Sequence, residues 1–311
     1  MPDQLPRRPL GSTGLQVSVL GLGCAPLNRI SDASGIKAVH RALELGINYF
    51  DTAPGYGPSQ DILGPALEGR SEPHLVATKL GHLANIADYR DPDAIEAQIA
   101  ENLRRSCVDV LQVHEADQRC WWLDEGDSQT VQEPDEGADF DSAPVLRVMR
   151  EARRRGQCRF LGITGNHAGP LARVLTHIEV DSMLLAYNYD LIRRHGAQQA
   201  VPATAKRGTA VILAGILHSG AFTRIDSPQF EPPPGLNDTE QLERFRALAD
   251  LSRQCGLDVI ELTIRFLLAD PRISTVLLGA AEPREVDHAV QSVLTGQLEP
   301  SLHAAVAKLG A

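Results

Sequence analysis

Eight short apolar runs rich in Val, Ile and Leu constrain the fold of this chain more than any other feature. They span 19–24, 47–52, 75–79, 108–114, 159–164, 182–187, 209–214 and 275–278, each bounded by glycine or a polar residue. Runs of that length without strict alternation read as strands buried on both faces. Most are followed by helical periodicity. Segment 35–45 carries Ile36, Val39, Ala42 and Leu43 at 3/4 spacing before Gly46. Segment 93–105 starts after Pro92 with Ile95, Ile99 and Leu103 on one face, and 143–155 ends in basic residues before Gly156. Eight strand-then-helix units in 311 residues predict an α/β fold of the (β/α)8 TIM-barrel type, one domain over 1–311. Segment 9–17, with glycines at 11 and 14, reads as an N-terminal β-hairpin capping the barrel floor. An open doubly wound sheet is the competing architecture. Its glycine fingerprint fails in Gly21-Leu22-Gly23-Cys24-Ala25-Pro26, where a proline stands in place of a helix opening.

The net charge of −10 argues against binding nucleic acid or an anionic membrane surface, both of which call for basic patches. No apolar run reaches the length of a membrane-spanning helix, and Met1-Pro2-Asp3-Gln4 lacks the layout of a secretory signal. Five scattered cysteines (Cys24, Cys107, Cys120, Cys158 and Cys255) form no Cys-x-x-Cys pair. The expectation is reduced, buried thiols in a cytoplasmic protein. The acid is concentrated. Segment 115–141 holds ten of the 40 carboxylates and one basic residue, Arg119, and so carries −9 of the charge.

Successive strands end in ionisable or polar residues: Asp51 closes the second, Lys79 the third, His114 the fourth, and Thr164-Gly165-Asn166 follows the fifth, with Tyr56 just beyond Asp51. Taken singly, each has a bland explanation as a cap, a solvated charge or a core imidazole. In a barrel these ends share the rim where active sites lie, so they should converge in one pocket. The chemistry suits proton donation to a carbonyl oxygen. A phenol is ordinarily too weak an acid for this near neutrality, and an adjacent ammonium lowers its pKa. Tyr56 is then the acid, Lys79 its tuner, Asp51 the partner of Lys79, and His114 the group that orients the carbonyl.

The ordered set Leu20-Gly21-Leu22-Gly23, Phe50-Asp51-Thr52-Ala53, Gly55-Tyr56-Gly57, Thr78-Lys79, Val113-His114, Gly162-Ile163-Thr164 and Leu278-Gly279-Ala280 resembles the aldo-keto reductases over nearly the whole chain. Asn48, Tyr49 and Tyr189-Asp190-Leu191 look most like the aldose and galactose 1-dehydrogenase branch. The resemblance implies an NAD(P)-dependent oxidoreductase acting on a small carbonyl compound or a sugar hemiacetal. It also implies a catalytic set of Asp51, Tyr56, Lys79 and His114. For the cofactor it points to Thr164 and Asn166 after strand five, Asn188 after strand six, and the loop His218-Ser219-Gly220. After strand eight it points to Gly279, Ala280 and Glu285. The tyrosine that many members carry after strand seven is replaced by Leu213-Ala214-Gly215, so that nicotinamide stack is expected to be missing. Glu285 stands near where NADPH-preferring members place arginine, which leans the cofactor toward NAD over NADP, although Arg284 is adjacent.

The long acidic loop after strand four, 115–142, contains both tryptophans, Trp121 and Trp122. They are candidate substrate-stacking residues in a lid, or else pins that hold a solvated excursion to the barrel. Its carboxylates have no metal-ligand spacing, so no metal is expected. Two other function classes compete: a Schiff-base aldolase or isomerase using Lys79, and a cofactor sensor without turnover. The sequence carries no reading of oligomeric state.

Overall fold

The computed structural model describes residues 5–122, 140–205, 207–225, 227, 230–233, 236 and 238–310. An antiparallel hairpin of β1 (Arg7–Pro9) and β2 (Gln16–Ser18) precedes eight parallel strands. These are β3 (Leu20–Gly23), β4 (Tyr49–Asp51), β5 (Leu75–Leu80), β6 (Val110–Val113), β7 (Phe160–Gly165), β8 (Ser182–Ala186), β9 (Ala210–Ala214) and β10 (Thr275–Leu278). They pair in chain order, and β10 closes on β3 with Val276 opposite Leu20. The barrel that the apolar runs predict is the one observed.

The helices are α1 (Asp32–Glu44), α2 (Ser59–Leu67), α3 (Pro92–Arg105), α4 (Pro144–Arg154), α5 (Ala168–His177), α6 (His195–Gln198) and α7 (Ala200–Ala205). Then come α8 (Thr239–Cys255), α9 (Val259–Leu268), α10 (Pro283–Leu294) and α11 (Pro300–Leu309). Local chemistry fixes their ends. Asp91 accepts from the Asp93 amide ahead of α3, and Gly256, at φ 71°, stops α8 in the left-handed conformation a side chain disfavours.

Two cores result. The larger lies between strands and helices. The smaller fills the barrel interior with Tyr49, Leu75, Ala77, Val110, Leu184, Ala210, Ile212 and Leu277, and the hairpin adds Leu10 and Val17 from below. The hairpin is held by polar contacts. The Arg8 guanidinium donates to the carbonyls of Leu268, Asp270 and Ile273 at 2.5–2.9 Å, and Ser12 N donates to Gly208 O at 2.8 Å. Only glycine fits at 11 (φ 53°), because a Cβ there would lie 2.3 Å from Gly208 O.

Alternation along the strands then positions the site. Each second residue points inward, so β4 presents Tyr49 and then Asp51, β5 presents Leu75, Ala77 and Lys79, and β6 presents Val110 and Gln112. The interior changes from apolar at the hairpin end to polar at the C-terminal end. Three of the five thiols match the expectation of burial, Cys24, Cys120 and Cys158; Cys107 is exposed and Cys255 half-buried. No helix among the described residues is long and apolar enough to cross a membrane.

Candidate active site

Asp51, Tyr56, Lys79 and His114 all line one cavity of about 920 Å3 at the C-terminal rim. Lys79 is 1% exposed and donates from Nζ to Asp51 Oδ1 and, at 2.9 Å, to Thr52 O. The same ammonium lies 4.8 Å from the centroid of the Tyr56 ring. The other Asp51 oxygen accepts from Gln112 Nε2 at 2.9 Å. The imidazole of His114 meets the Tyr56 ring edge to face at 5.9 Å, and its Nδ1 is buried without a hydrogen-bond partner among the described residues.

The electrostatics follow from burial and close charges. Burial pulls the Lys79 ammonium down, but Asp51 and Tyr56 outweigh it and the net shift is upward, so the charge persists. For Tyr56 the balance runs otherwise than the sequence suggested. Burial raises the phenol, Lys79 lowers it and Asp51 raises it again, with the net above its ordinary value of 10.0. Lys79 acts in the expected direction but does not win, because a buried phenolate loses hydration before it gains the ammonium. His114 is held well below 6.5 by burial, the Lys79 ammonium and His82, which keeps it neutral near pH 7.

The cofactor candidates divide. Thr164, Asn166, Ser219, Gly220, Gly279 and Glu285 line the cavity. Asn188, His218 and Ala280 are not among its lining residues. Asn188 turns into the wall, where its Nδ2 donates to Asn166 O and Ala186 O and its Oδ1 accepts from Ala168 N. His218 points away toward the fully buried Asp190, with 2.8 Å between Nε2 and Oδ2, and stacks on Phe222. Ala280 is fully buried. Trp121 and Trp122, the candidate stacking residues, are not among the lining residues either. Both rings are at most 2% exposed, and each indole N–H is satisfied by a backbone carbonyl, Trp121 on His114 O at 2.8 Å and Trp122 on Ala116 O at 2.7 Å. That matches the pinning alternative. The centre of the acidic loop, 123–139, where a lid would lie, falls outside the described residues.

Among the lining residues that sequence reasoning passed over are Tyr187, His82 and Glu115. All three have positive φ, 60°, 54° and 53° respectively, a conformation non-glycine residues adopt at a cost and often at functional sites. His82 and Glu115 flank His114: the His82 ring is 4.6 Å from it, and Glu115 follows it in the chain. The Glu115 carboxylate accepts from Asn166 Nδ2 at 3.0 Å and Gln118 Nε2 at 2.6 Å. Tyr187 covers Gly215, where a Cβ would come within 2.6 Å of its ring. The residues after strand seven bring no aromatic ring here, but Tyr187 brings one from β8. The signal was legible: Tyr187 directly follows a strand end, and Gly215 is the gap beside it.

The donor set suits a dinucleotide. The cavity volume is at the upper end of the ~300–1,000 Å3 range of ligand sites. It extends from His114 past Ser219 and Gly220 to Gly279 and the start of α10. At that end Glu285 Oε2 accepts from Ala281 N at 2.8 Å and Glu282 N at 3.1 Å, and Arg284 pairs with Glu282 at 2.6 Å.

A sequence profile described as the Aldo/keto reductase family matches residues 19–311, and the chain belongs to that family. It is an NAD(P)-dependent oxidoreductase of small carbonyl compounds. Among its relatives, L-galactose dehydrogenase of Arabidopsis thaliana is 28% identical, over 92% of this chain and 87% of the relative. D-threo-aldose 1-dehydrogenase of a Pseudomonas species is 24% identical over 88% and 89% of the two chains. In fold, the chain is similar to an aldo-keto reductase from Bacillus halodurans in its holo form. The TM-score is 0.78, with 24% identity and coverage of 99% and 97%.

Proposed function

We propose that this protein oxidises the anomeric carbon of an aldose with NAD, and reduces carbonyl compounds with the same residues in reverse. The observation that carries the reading is the convergence of Asp51, Tyr56, Lys79 and His114 on one cavity, with the hydrogen-bonding side chains of His82 and Glu115 on either side of His114. A polyhydroxylated substrate suits such a rim better than an alkyl aldehyde does. The relatives named for L-galactose and D-threo-aldose support the same class.

The nicotinamide, when bound, supplies or accepts the hydride. Thr164 and Asn166, which line the cavity, would hold its ring end, Ser219 and Gly220 its phosphates, and Gly279 with the start of α10 its far end. In reduction Tyr56 donates its phenolic proton to the carbonyl oxygen, and Lys79 stabilises the phenolate that remains. The neutral His114 donates a second hydrogen bond to the same oxygen and orients the carbonyl. Asp51 keeps Lys79 charged. In oxidation Tyr56 must first be a phenolate to take the hydroxyl proton. The persistent charge on Lys79 disfavours the Schiff-base alternative, which requires a neutral amine.

The decisive experiment is a turnover panel of aldoses against alkyl and aromatic aldehydes, with NAD and NADP in parallel. Aldose oxidation should lead; faster turnover of unhydroxylated aldehydes than of any aldose would refute the sugar reading. The NAD preference rests on Glu285. Its carboxylate already occupies two backbone N–H groups at the start of α10 and repels a 2′-phosphate. Glu285→Arg should shift the NADP-to-NAD affinity ratio by about tenfold or more toward NADP, read by fluorescence titration. A wild type that already prefers NADP would show that reading to be wrong.

A further inference from the structure

We propose that Gln112 is a positioning residue of the proton-transfer site: by donating to Asp51 Oδ2 it holds that carboxylate aimed at Lys79. Through Lys79 it sets the acidity of Tyr56, which it does not touch.

The argument begins with hydrogen-bond capacity. A buried carboxylate needs donors for both oxygens, and Asp51 is 3% exposed. Lys79 takes Oδ1, and the donor to Oδ2 is Gln112 Nε2 at 2.9 Å. Gln112 is fully buried, and its own Oε1 has no partner among the described residues. An amide free to choose would satisfy its acceptor too. This one leaves the acceptor orphaned and presents its N–H to Asp51, because the reverse orientation would set oxygen against carboxylate. The amide orientation is therefore set by the charge on Asp51.

The barrel makes room for this contact. Lys79 pairs with Gln112 across β5 and β6, and Gln112 pairs with Gly162 across β6 and β7. A Cβ at 162 would lie 3.0 Å from Gln112 Cγ and 2.4 Å from Ser182 Oγ. Only a bare backbone at 162 lets a side chain as long as glutamine lie across the interior and reach β4. The titratable groups that also face this cluster are Tyr49 on β4, Cys24 after β3, His114 after β6, His82 after β5 and Tyr187 after β8. Among the described residues, none of these donates to Asp51 Oδ2, which accepts from Gln112.

The proposal rests on the role of Tyr56 given above, and its test has an arm independent of turnover. Gln112→Met keeps the length and removes the donor. Its kcat should fall about tenfold or more, the factor a hydrogen bond to a charge is worth, with KM changed far less. In thermal unfolding, Gln112→Glu should match wild type at acid pH and fall increasingly below it as pH rises, and adding Asp51→Asn should remove most of that difference, because the ionised carboxyl at 112 meets the carboxylate that Gln112 Nε2 contacts at 2.9 Å. Gln112→Glu supplies the discriminating signature. A protonated carboxyl at 112 can still donate to Asp51, whereas an ionised one repels it, so activity relative to wild type should be kept at acid pH and lost as pH rises. A side chain that merely fills space would leave Gln112→Met near wild type and make any loss in Gln112→Glu independent of pH. Either result overturns the proposal, and the second holds even if the methionine variant does not fold. If wild type turns over no carbonyl or sugar, the functional reading falls, while the pH dependence of unfolding in Gln112→Glu, with and without Asp51→Asn, still decides on Gln112.

Discussion

Tyr56→Phe is expected to abolish turnover while leaving cofactor affinity within about twofold of wild type. The substitution removes one hydroxyl and keeps the ring that faces the Lys79 ammonium and the His114 edge. Proton transfer by a positioned side chain contributes about 10²–10⁴-fold, so a loss of at least about 10²-fold in kcat is the minimum expected. Steady-state kinetics paired with a fluorescence titration of NADH checks both halves, and full activity would remove Tyr56 from the mechanism. The wild type should show a matching pH signature. Burial holds the phenol above 10.0, so the phenolate that oxidation requires is a small fraction near neutrality and grows with pH. Oxidation should accelerate steadily through the alkaline range, whereas reduction, which uses the protonated phenol, should not.

Lys79→Met should be the most destabilising change in the site. It strands the Asp51 carboxylate in an interior where both partners are at most 4% exposed. Breaking a buried pair from one side costs about 3–5 kcal/mol, because the remaining charge is uncompensated. Replacing both partners with apolar groups of similar volume is often near neutral. Lys79→Met combined with Asp51→Leu should therefore recover most of the loss in urea unfolding without recovering activity. A double variant no more stable than the single one would mean that the pair contributes through shape and not through charge.

The strands were legible because a parallel strand covered on both faces must be apolar along its length, and turns then mark its ends. Asp51, Lys79 and His114 were legible for the converse reason: each interrupts such a run at its C-terminal end. What the chain could not show was which way a side chain turns once it leaves the strand. His218 sits in a small-residue loop beside the cavity, yet it faces Asp190, a partner that becomes visible only when β8 and β9 are laid side by side. Trp121 and Trp122 have rings large enough to grip a substrate or to anchor a loop. Their N–H groups reach the carbonyls of His114 and Ala116, contacts that appear only once the chain is folded. Gln112 was in plain view two residues before His114, on the inward phase of β6. Its reach to Asp51 crosses the intervening strand β5 and depends on the stagger of a closed barrel, which no local pattern encodes.

The pairing of β10 with β3 also bears on how the chain matures. One edge of β3 finds its partner some 250 residues later, and Arg8 binds carbonyls at 268–273. Until the ribosome has released that stretch, the earlier strands would present an open sheet with an unpaired apolar edge, and the hairpin floor would lack the carbonyls that hold Arg8. Such edges invite association between nascent chains. Closing the ring is a long-range event, and its delay makes the interval before β10 emerges the period when this protein is most exposed to aggregation.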